Sequence, residues 1–261
     1  MKKFVIFCCL ALLCACARQP VLETSPENRA ALEQRWQKFA AIGAVEKAEP
    51  YRLQLSLRFG TEGDTRRVTA LFWGNSQRQL RLDVMAGVGT TVAKILEDGQ
   101  HFLVYSPSEN KAYFYQGATK PLLQVGVPVP FNLVHLADLL NGRYAAVFGK
   151  QFEKSALTTD GKAVYDLNGQ PGGRVTINEQ GLPTEWQEQP NGKGWSMEIL
   201  YSDDPTPLPR RLNLAHSNGK RAIVLIKERE KVSQPFTKEQ MALPLPEDAP
   251  LLPLAKFKQQ Q

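Results

Sequence analysis

Three histidines, four cysteines and a scatter of carboxylates are the groups in this 261-residue chain that could do chemistry. His101, His135 and His216 each stand alone in a stretch that reads as strand or helix. A metal centre or an acid–base relay needs such rings beside cysteines or carboxylates at fixed spacing, and a solitary histidine in a β protein is more often a hydrogen-bonded core or rim group. There is no His-Glu-x-x-His, no Gly-x-Ser-x-Gly and no glycine loop built to cradle a phosphate. Gly87-Val88-Gly89 supplies two of the three glycines of a dinucleotide loop, but it falls between antiparallel strands, the wrong place for one. Asp203-Asp204 precede Pro205 in a turn and have no second carboxylate in view. The pattern argues against an enzyme, and it calls for no cofactor and no metal. One nucleophile has a setting that suggests covalent chemistry, and it is Cys16.

Met1-Lys2-Lys3 and the apolar run from Phe4 to Leu13 have the charged start and short greasy middle of a secretory signal peptide, too short to span a bilayer comfortably. The run ends in Leu13-Cys14-Ala15-Cys16, which resembles the bacterial lipobox. In such precursors the cysteine thiol takes a diacylglyceryl group and the peptide is cut just ahead of it. Residues 1–15 are therefore expected to be a lipoprotein signal peptide, Cys16 the lipidation site and 16–24 a tether. Ala17, rather than Asp, follows Cys16, which favours anchoring at the outer membrane, facing the periplasm. All four cysteines lie in the first sixteen residues, so the mature chain keeps only Cys16 and has no disulfide framework; a packed core must hold it together. Lys2 and Lys3 leave with the leader and no acidic residue does, so the formal charge of +6 falls to +4. With Lys and Arg interleaved among Asp and Glu, that balance suits an acidic partner or membrane headgroups better than nucleic acid.

The elements that follow are mostly strands. Ser25-Pro26-Glu27 is a helix start, and Leu32, Trp36 and Phe39 make one apolar stripe before Gly43. From Tyr51 the period becomes two: Leu53, Leu55, Leu57 and Phe59 alternate with Arg52, Gln54, Ser56 and Arg58, a half-buried antiparallel strand. Further strand signals run over 67–73, 79–84, 90–96, 102–105, 112–115, 164–167, 173–177, 185–188, 195–201, 210–215 and 222–228, with tight turns such as Asp98-Gly99 and Asn218-Gly219 between them. Leu133, Leu136 and Leu140 recur at helical spacing between the prolines of Gly126-Val127-Pro128-Val129-Pro130 and Gly142, a short helix expected to sit on the sheet as a lid or plug. After Val232 five prolines from Pro235 to Pro253 indicate an extended tail, 232–261, whose leucines could still pack along the barrel. The fold expected is mainly β (α+β): an open, incomplete antiparallel β-barrel of about eleven strands over residues 25–231, with helices acting as a lid.

One turn breaks the usual chemistry. Between the strands ending at Val84 and starting at Thr90 lies Met85-Ala86-Gly87-Val88-Gly89, where hairpin tips normally carry Asn, Asp, Gly or Ser. Apolar residues there imply either cover from the rest of the chain or contact with something greasy outside it.

Three pieces in order resemble the LolA/LolB-like lipoprotein-localisation fold, and within it the LolB-like outer-membrane receptors, over roughly residues 16–230. They are the lipobox followed by a helix with Trp36 and then Ile42-Gly43-Ala44-Val45; the stretch from Leu80 to Thr90, similar to the family's Arg-Leu-x-Leu-x-x-Pro-Leu-Gly-Ser/Thr; and Gly126 to Leu133 with its following helix, similar to the family's Gly-x-Pro-x-Pro-Leu segment and lid. Gly87 stands where the family usually has Pro and Val88 where it has Leu, and the tail has no counterpart. The resemblance implies an apolar cavity holding acyl chains, lined by Leu53, Leu55, Leu57, Phe72, Leu80, Leu82, Val84, Phe102, Val104, Leu133, Leu136 and Leu140. It implies a monomer that takes acylated lipoproteins from a LolA-like periplasmic carrier and inserts them into the inner leaflet of the outer membrane. Met85 and Val88 would form the membrane or lipid-transfer loop, continuous with the strand face of Leu80, Leu82 and Val84; packing under the lid or tail is the other reading. Burying acyl chains is worth about 0.8 kcal/mol per methylene, so transfer needs equal apolar cover at both ends and no catalytic residue. Two rivals stay open: a lipid-anchored binder or sensor of a hydrophobic ligand with the same fold, and a structural lipoprotein of an envelope complex.

Overall fold

Alternating strand sequences should build one wide sheet, and they do. The computed structural model describes residues 21–22, 25–43, 49–75, 79–87, 89–98, 100–116, 122, 129–169, 171–203 and 208–256. One meander comprises β2 (Tyr51–Thr61), β3 (Asp64–Gly74), β4 (Leu80–Ala86), β5 (Thr90–Glu97), β6 (His101–Ser106) and β7 (Lys111–Gln116). A second comprises β8 (Lys154–Thr158), β9 (Ala163–Leu167), β10 (Gly173–Ile177), β11 (Pro183–Gln187), β12 (Trp195–Tyr201), β13 (Pro209–His216) and β14 (Arg221–Lys231). They join where β14 pairs antiparallel with β2 along its length, from Arg221↔Gly60 to Lys231↔Tyr51. β1 (Val21–Leu22) adds to β8 at one edge and β15 (Leu251–Pro253) to β7 at the other. The sheet has fifteen strands, all antiparallel except β15 on β7, and among the described residues no pairing joins β1 to β15, so it is open.

The count exceeds the expected figure of about eleven, and three strands fall where no strand signal is read. β1 has two residues, β8 shows no clean alternation, and β15 ends in Pro253. Proline lacks a ladder donor and is tolerated on an edge strand, which is where β15 lies. β1 and β15 are set by pairing with distant segments and β8 by its hairpin with β9, none of them by alternation within its own residues.

The topology explains the helices. β7 and β8 lie near opposite edges, which a flat sheet with strands about 4.8 Å apart would hold roughly 60 Å apart. The connection between them must cross the sheet, and it carries α2 (Leu133–Leu140) and α3 (Tyr144–Phe148) over the inner face. α1 (Pro26–Ala41) starts on the Ser25 cap, whose side chain accepts from the Asn28 N–H, and buries the expected Leu32, Trp36 and Phe39. Trp36 packs among Phe39, Phe152 and Tyr165 and donates to the Lys150 carbonyl, while the Tyr165 hydroxyl donates to the Leu32 carbonyl. Gly43, with φ +69°, ends this segment where a Cβ would lie 2.3 Å from the Gly142 carbonyl, so α1 can close on α2 only with glycine there.

The Pro-punctuated segment beyond β14 is a strap. Asn75 and the Phe236 backbone exchange two hydrogen bonds, and a capping box of Thr237 and Gln240 starts α4 (Lys238–Met241). Arg81 donates to the Ala242 carbonyl, Asn110 to Asp248, and the Ala112 N–H to the Pro250 carbonyl just before β15. Met241 and Leu243 are buried yet outside the inner core, which places them against the convex face. There the register lines up Trp73, Arg81, Leu96, Leu103, Phe114 and Pro253, and Arg81, stacked over Trp73 and paired with Asp83, is only 4% exposed. A chain ending at Gln234 should bare this row and the β7 edge, which is a template for strand addition. Its expected result is concentration-dependent oligomer on size-exclusion chromatography where the full chain elutes at one volume.

Candidate functional site

Register turns the strand alternation into apolar rows on the inner face. Leu53, Phe72, Leu82, Ile95, Val104 and Tyr113 stand side by side from β2 to β7. Leu55, Ala70 and Val84 form the next row, and Tyr51, Gly74, Leu80, Glu97 and Phe102 the row toward the sheet's end. The twelve residues assigned to a cavity lining all lie in this one core, none more than 7% exposed. Leu133, Leu136 and Leu140 of α2 are the cover side of it.

Two polar joints hold the cover. Asn132 caps α2 by accepting from the His135 N–H at 2.7 Å, and the Leu133 N–H donates to Glu97 Oε2 at 2.8 Å. Glu97 is the last residue of β5 and 3% exposed, so a carboxylate on the sheet meets the positive end of the helix. Burial pushes its carboxyl up to about 7, despite the opposing Leu133 N–H. At the other end Arg143 Nε donates to Asp138 Oδ1 at 2.7 Å, both side chains buried. Burial outweighs the guanidinium and leaves the Asp138 carboxyl above its ordinary value. Tyr51 lies across Gly74, where a Cβ would come within 3.0 Å of its hydroxyl; burial raises that hydroxyl far above an ordinary phenol, and Arg143 beside it opposes the shift. A polar line thus runs beneath α2 through an apolar floor.

Sequence reasoning missed Glu97, Asp138 and Arg143. Glu97 precedes Asp98-Gly99 and reads as a solvated turn acid, since its helix partner is 36 residues away. Asp138 did carry a signal: it is the one acid inside the apolar Leu-Val-His-Leu-Ala-Asp-Leu-Leu.

Other expected site residues fall elsewhere. Met85 follows Val84 by one residue and pairs with Thr69 and Thr91, so period two turns it to the convex face, half-buried. Of the expected loop pair, Met85 therefore stands on the face of β4 opposite to Leu80, Leu82 and Val84. Val88 and Cys16 lie outside the described residues. His101 is exposed beside Asp98, His135 is half-buried with burial lowering its proton affinity, and His216 stacks edge-on against Trp195. Among the described residues no group of three His, Cys, Asp or Glu could hold a metal ion, and no helix is long and apolar enough to cross a membrane.

No family model and no curated protein matches this chain. Solved structures similar to it include a LolA superfamily protein, NE2245, from Nitrosomonas europaea, 13% identical over 80% of this chain and 98% of that one, with a TM-score of 0.49. A putative outer membrane lipoprotein-sorting protein domain from Vibrio parahaemolyticus is 6% identical over 80% of this chain and 94% of its own, with a TM-score of 0.48. A DUF1329 family protein from Desulfovibrio piger is 6% identical over 82% of this chain and 96% of its own, with a TM-score of 0.53, and it is with this protein that the chain shares its fold.

Proposed function

We propose that this chain is a lipid-anchored outer-membrane receptor, LolB-like in kind, that accepts acylated lipoproteins from a periplasmic carrier and releases them into the bilayer. The observation that carries the reading is the apolar inner face from Leu53 to Tyr113, covered by two short helices instead of a second sheet. Acyl chains replace the leucines of α2 on that face when the cover lifts, exchanging one apolar contact for another at little net cost. The lipobox and the lid-like segment from Gly126 to Gly142 support the same reading. Cys16 supplies the anchor, and the turn at Met85 and Val88 meets the membrane.

The test is transfer. A Cys16→Ser chain mixed with a carrier loaded with radiolabelled acylated lipoprotein should leave the mixture holding the label. Retention of the label by a carrier that does discharge to a known receptor overturns the reading. Failure of transfer would leave a second reading standing, a structural lipoprotein of an envelope complex, for which the bare β-sheet edges offer docking strands. Val88→Glu should reduce release into vesicles while leaving pick-up from the carrier intact; normal release would remove the loop from the scheme.

A further inference from the structure

Between the start of β13 and the end of β14 lies a cavity of about 440 Å³. That volume is within the range of small-molecule sites. Its walls are unlike the inner face. Among the described residues, Arg210, Lys227 and Arg229 contribute cations, Leu208 and Ile226 apolar surface, and Glu228 an acid.

The local backbone explains the arrangement. β14 carries a bulge between Ile226 and Glu228, which leaves Lys227 without a partner on β2. Beyond it Glu228 pairs with Gln54 on the outer face, while Arg229 pairs with Leu53 and so turns to the inner side. Arg229 is half-buried, donates to the Pro209 carbonyl at 2.7 Å and lies close enough to Tyr144 of α3 to feel its hydroxyl. Tyr144 in turn stands edge-on to Tyr201, whose hydroxyl donates to the Pro183 carbonyl. Buried charges in proteins are ordinarily paired. Among the described residues no carboxylate makes an ion pair with Arg210, Lys227 or Arg229. A half-buried guanidinium without a counter-charge among the described residues, at the wall of a cavity with two more cations, is a receptor for an oxyanion.

We propose that this cavity binds the anionic headgroup of a lipid, a phosphodiester or carboxylate, with Arg229 and Arg210 as its hydrogen-bonding cations. Lys227 adds charge from the bulge. Leu208 and Ile226 give the adjoining hydrocarbon a place to lie, which free phosphate would not use. The site is independent of lipoprotein receipt: transfer can fail with headgroup binding intact, and the reverse.

Calorimetric titration of the full chain carrying Cys16→Ser tests it, with short-chain phosphatidylglycerol below its micelle concentration, short-chain phosphatidylcholine and inorganic phosphate as probes. Phosphatidylglycerol should bind at least about tenfold more tightly than the other two, as one charge-assisted pair gained implies. Arg229→Gln should lose about tenfold or more of that affinity and Arg210→Gln several-fold, while Arg66→Gln on exposed β3 changes nothing. Equal binding of phosphatidylcholine overturns the charge requirement, and equal binding of inorganic phosphate overturns the lipid. Unchanged affinity in folded Arg229→Gln overturns the site. Should Arg229→Gln lose its native circular dichroism, the Arg210→Gln/Lys227→Gln pair decides: retained affinity in it overturns the proposal.

Discussion

Replacing Arg143 with methionine should destabilise the protein by about 3–5 kcal/mol, the range expected when one member of a buried ion pair is removed and the other stays. Asp138 is 2% exposed and has the Arg143 guanidinium 2.7 Å away, so its carboxylate would be stranded inside the cover. The loss should shrink sharply in Asp138→Leu/Arg143→Met, because both charges then leave and α2 stays apolar. Urea unfolding monitored by circular dichroism measures both, and a double variant no better than the single one would show that Arg143 acts by packing. The pair spans the turn from α2 to α3, so its loss should appear first as faster amide exchange over 133–148.

Glu97→Gln should stabilise the protein at pH 8 by about 3 kcal/mol and have little effect at pH 4. The sign follows from the raised carboxyl. Folded, Glu97 holds its proton up to about 7, whereas an ordinary glutamate releases it near 4.5. The folded state therefore binds the extra proton between those values. Stability from this group is complete below about 4.5, declines as pH rises toward 7 and stays low above it. A shift of that size corresponds to about 3 kcal/mol at 1.36 kcal/mol per unit. Glutamine keeps an acceptor for the Leu133 N–H without the charge. Asp138 is raised in the same direction, and Asp98 is lowered and acts in the opposite one, so the difference between wild type and Glu97→Gln isolates Glu97. Denaturant midpoints from pH 4 to 9 give the two curves; parallel curves would mean that Glu97 is solvated in the folded state. If lifting the cover exposes Glu97, the same linkage makes opening easier above neutral pH.

What could be read from the sequence were features fixed within one element. The alternation of Leu53, Leu55 and Leu57 places them inward because a strand repeats every two residues, whatever lies beside it. The Leu133, Leu136, Leu140 stripe and the Ser25 cap are equally local, and both stand as expected. β15 could not be read that way, since Leu251–Pro253 is a strand only because β7 offers an edge. Nor could the polar line: Glu97, Asp138 and Tyr51 come together only when the cover lies across β2 to β5. Met85 shows the limit of a near miss. β4 runs on through Met85 and Ala86 beyond the expected end at Val84, so the face on which the methionine stands depends on parity, and one residue separates the two faces.

The β14–β2 seam has a consequence for how the chain reaches this state. Every other pairing within the two meanders joins neighbours in sequence and can form as soon as a hairpin closes. The seam joins Arg221–Lys231 to Tyr51–Gly60, so half of the sheet waits with β2 as a bare edge until the last long strand has emerged. Such distant pairing slows folding and leaves a surface that can add a foreign strand meanwhile. A chain synthesised from its N-terminus would hold that edge open through most of its own production, and a chaperone that binds extended strands would find its longest unsatisfied ladder there.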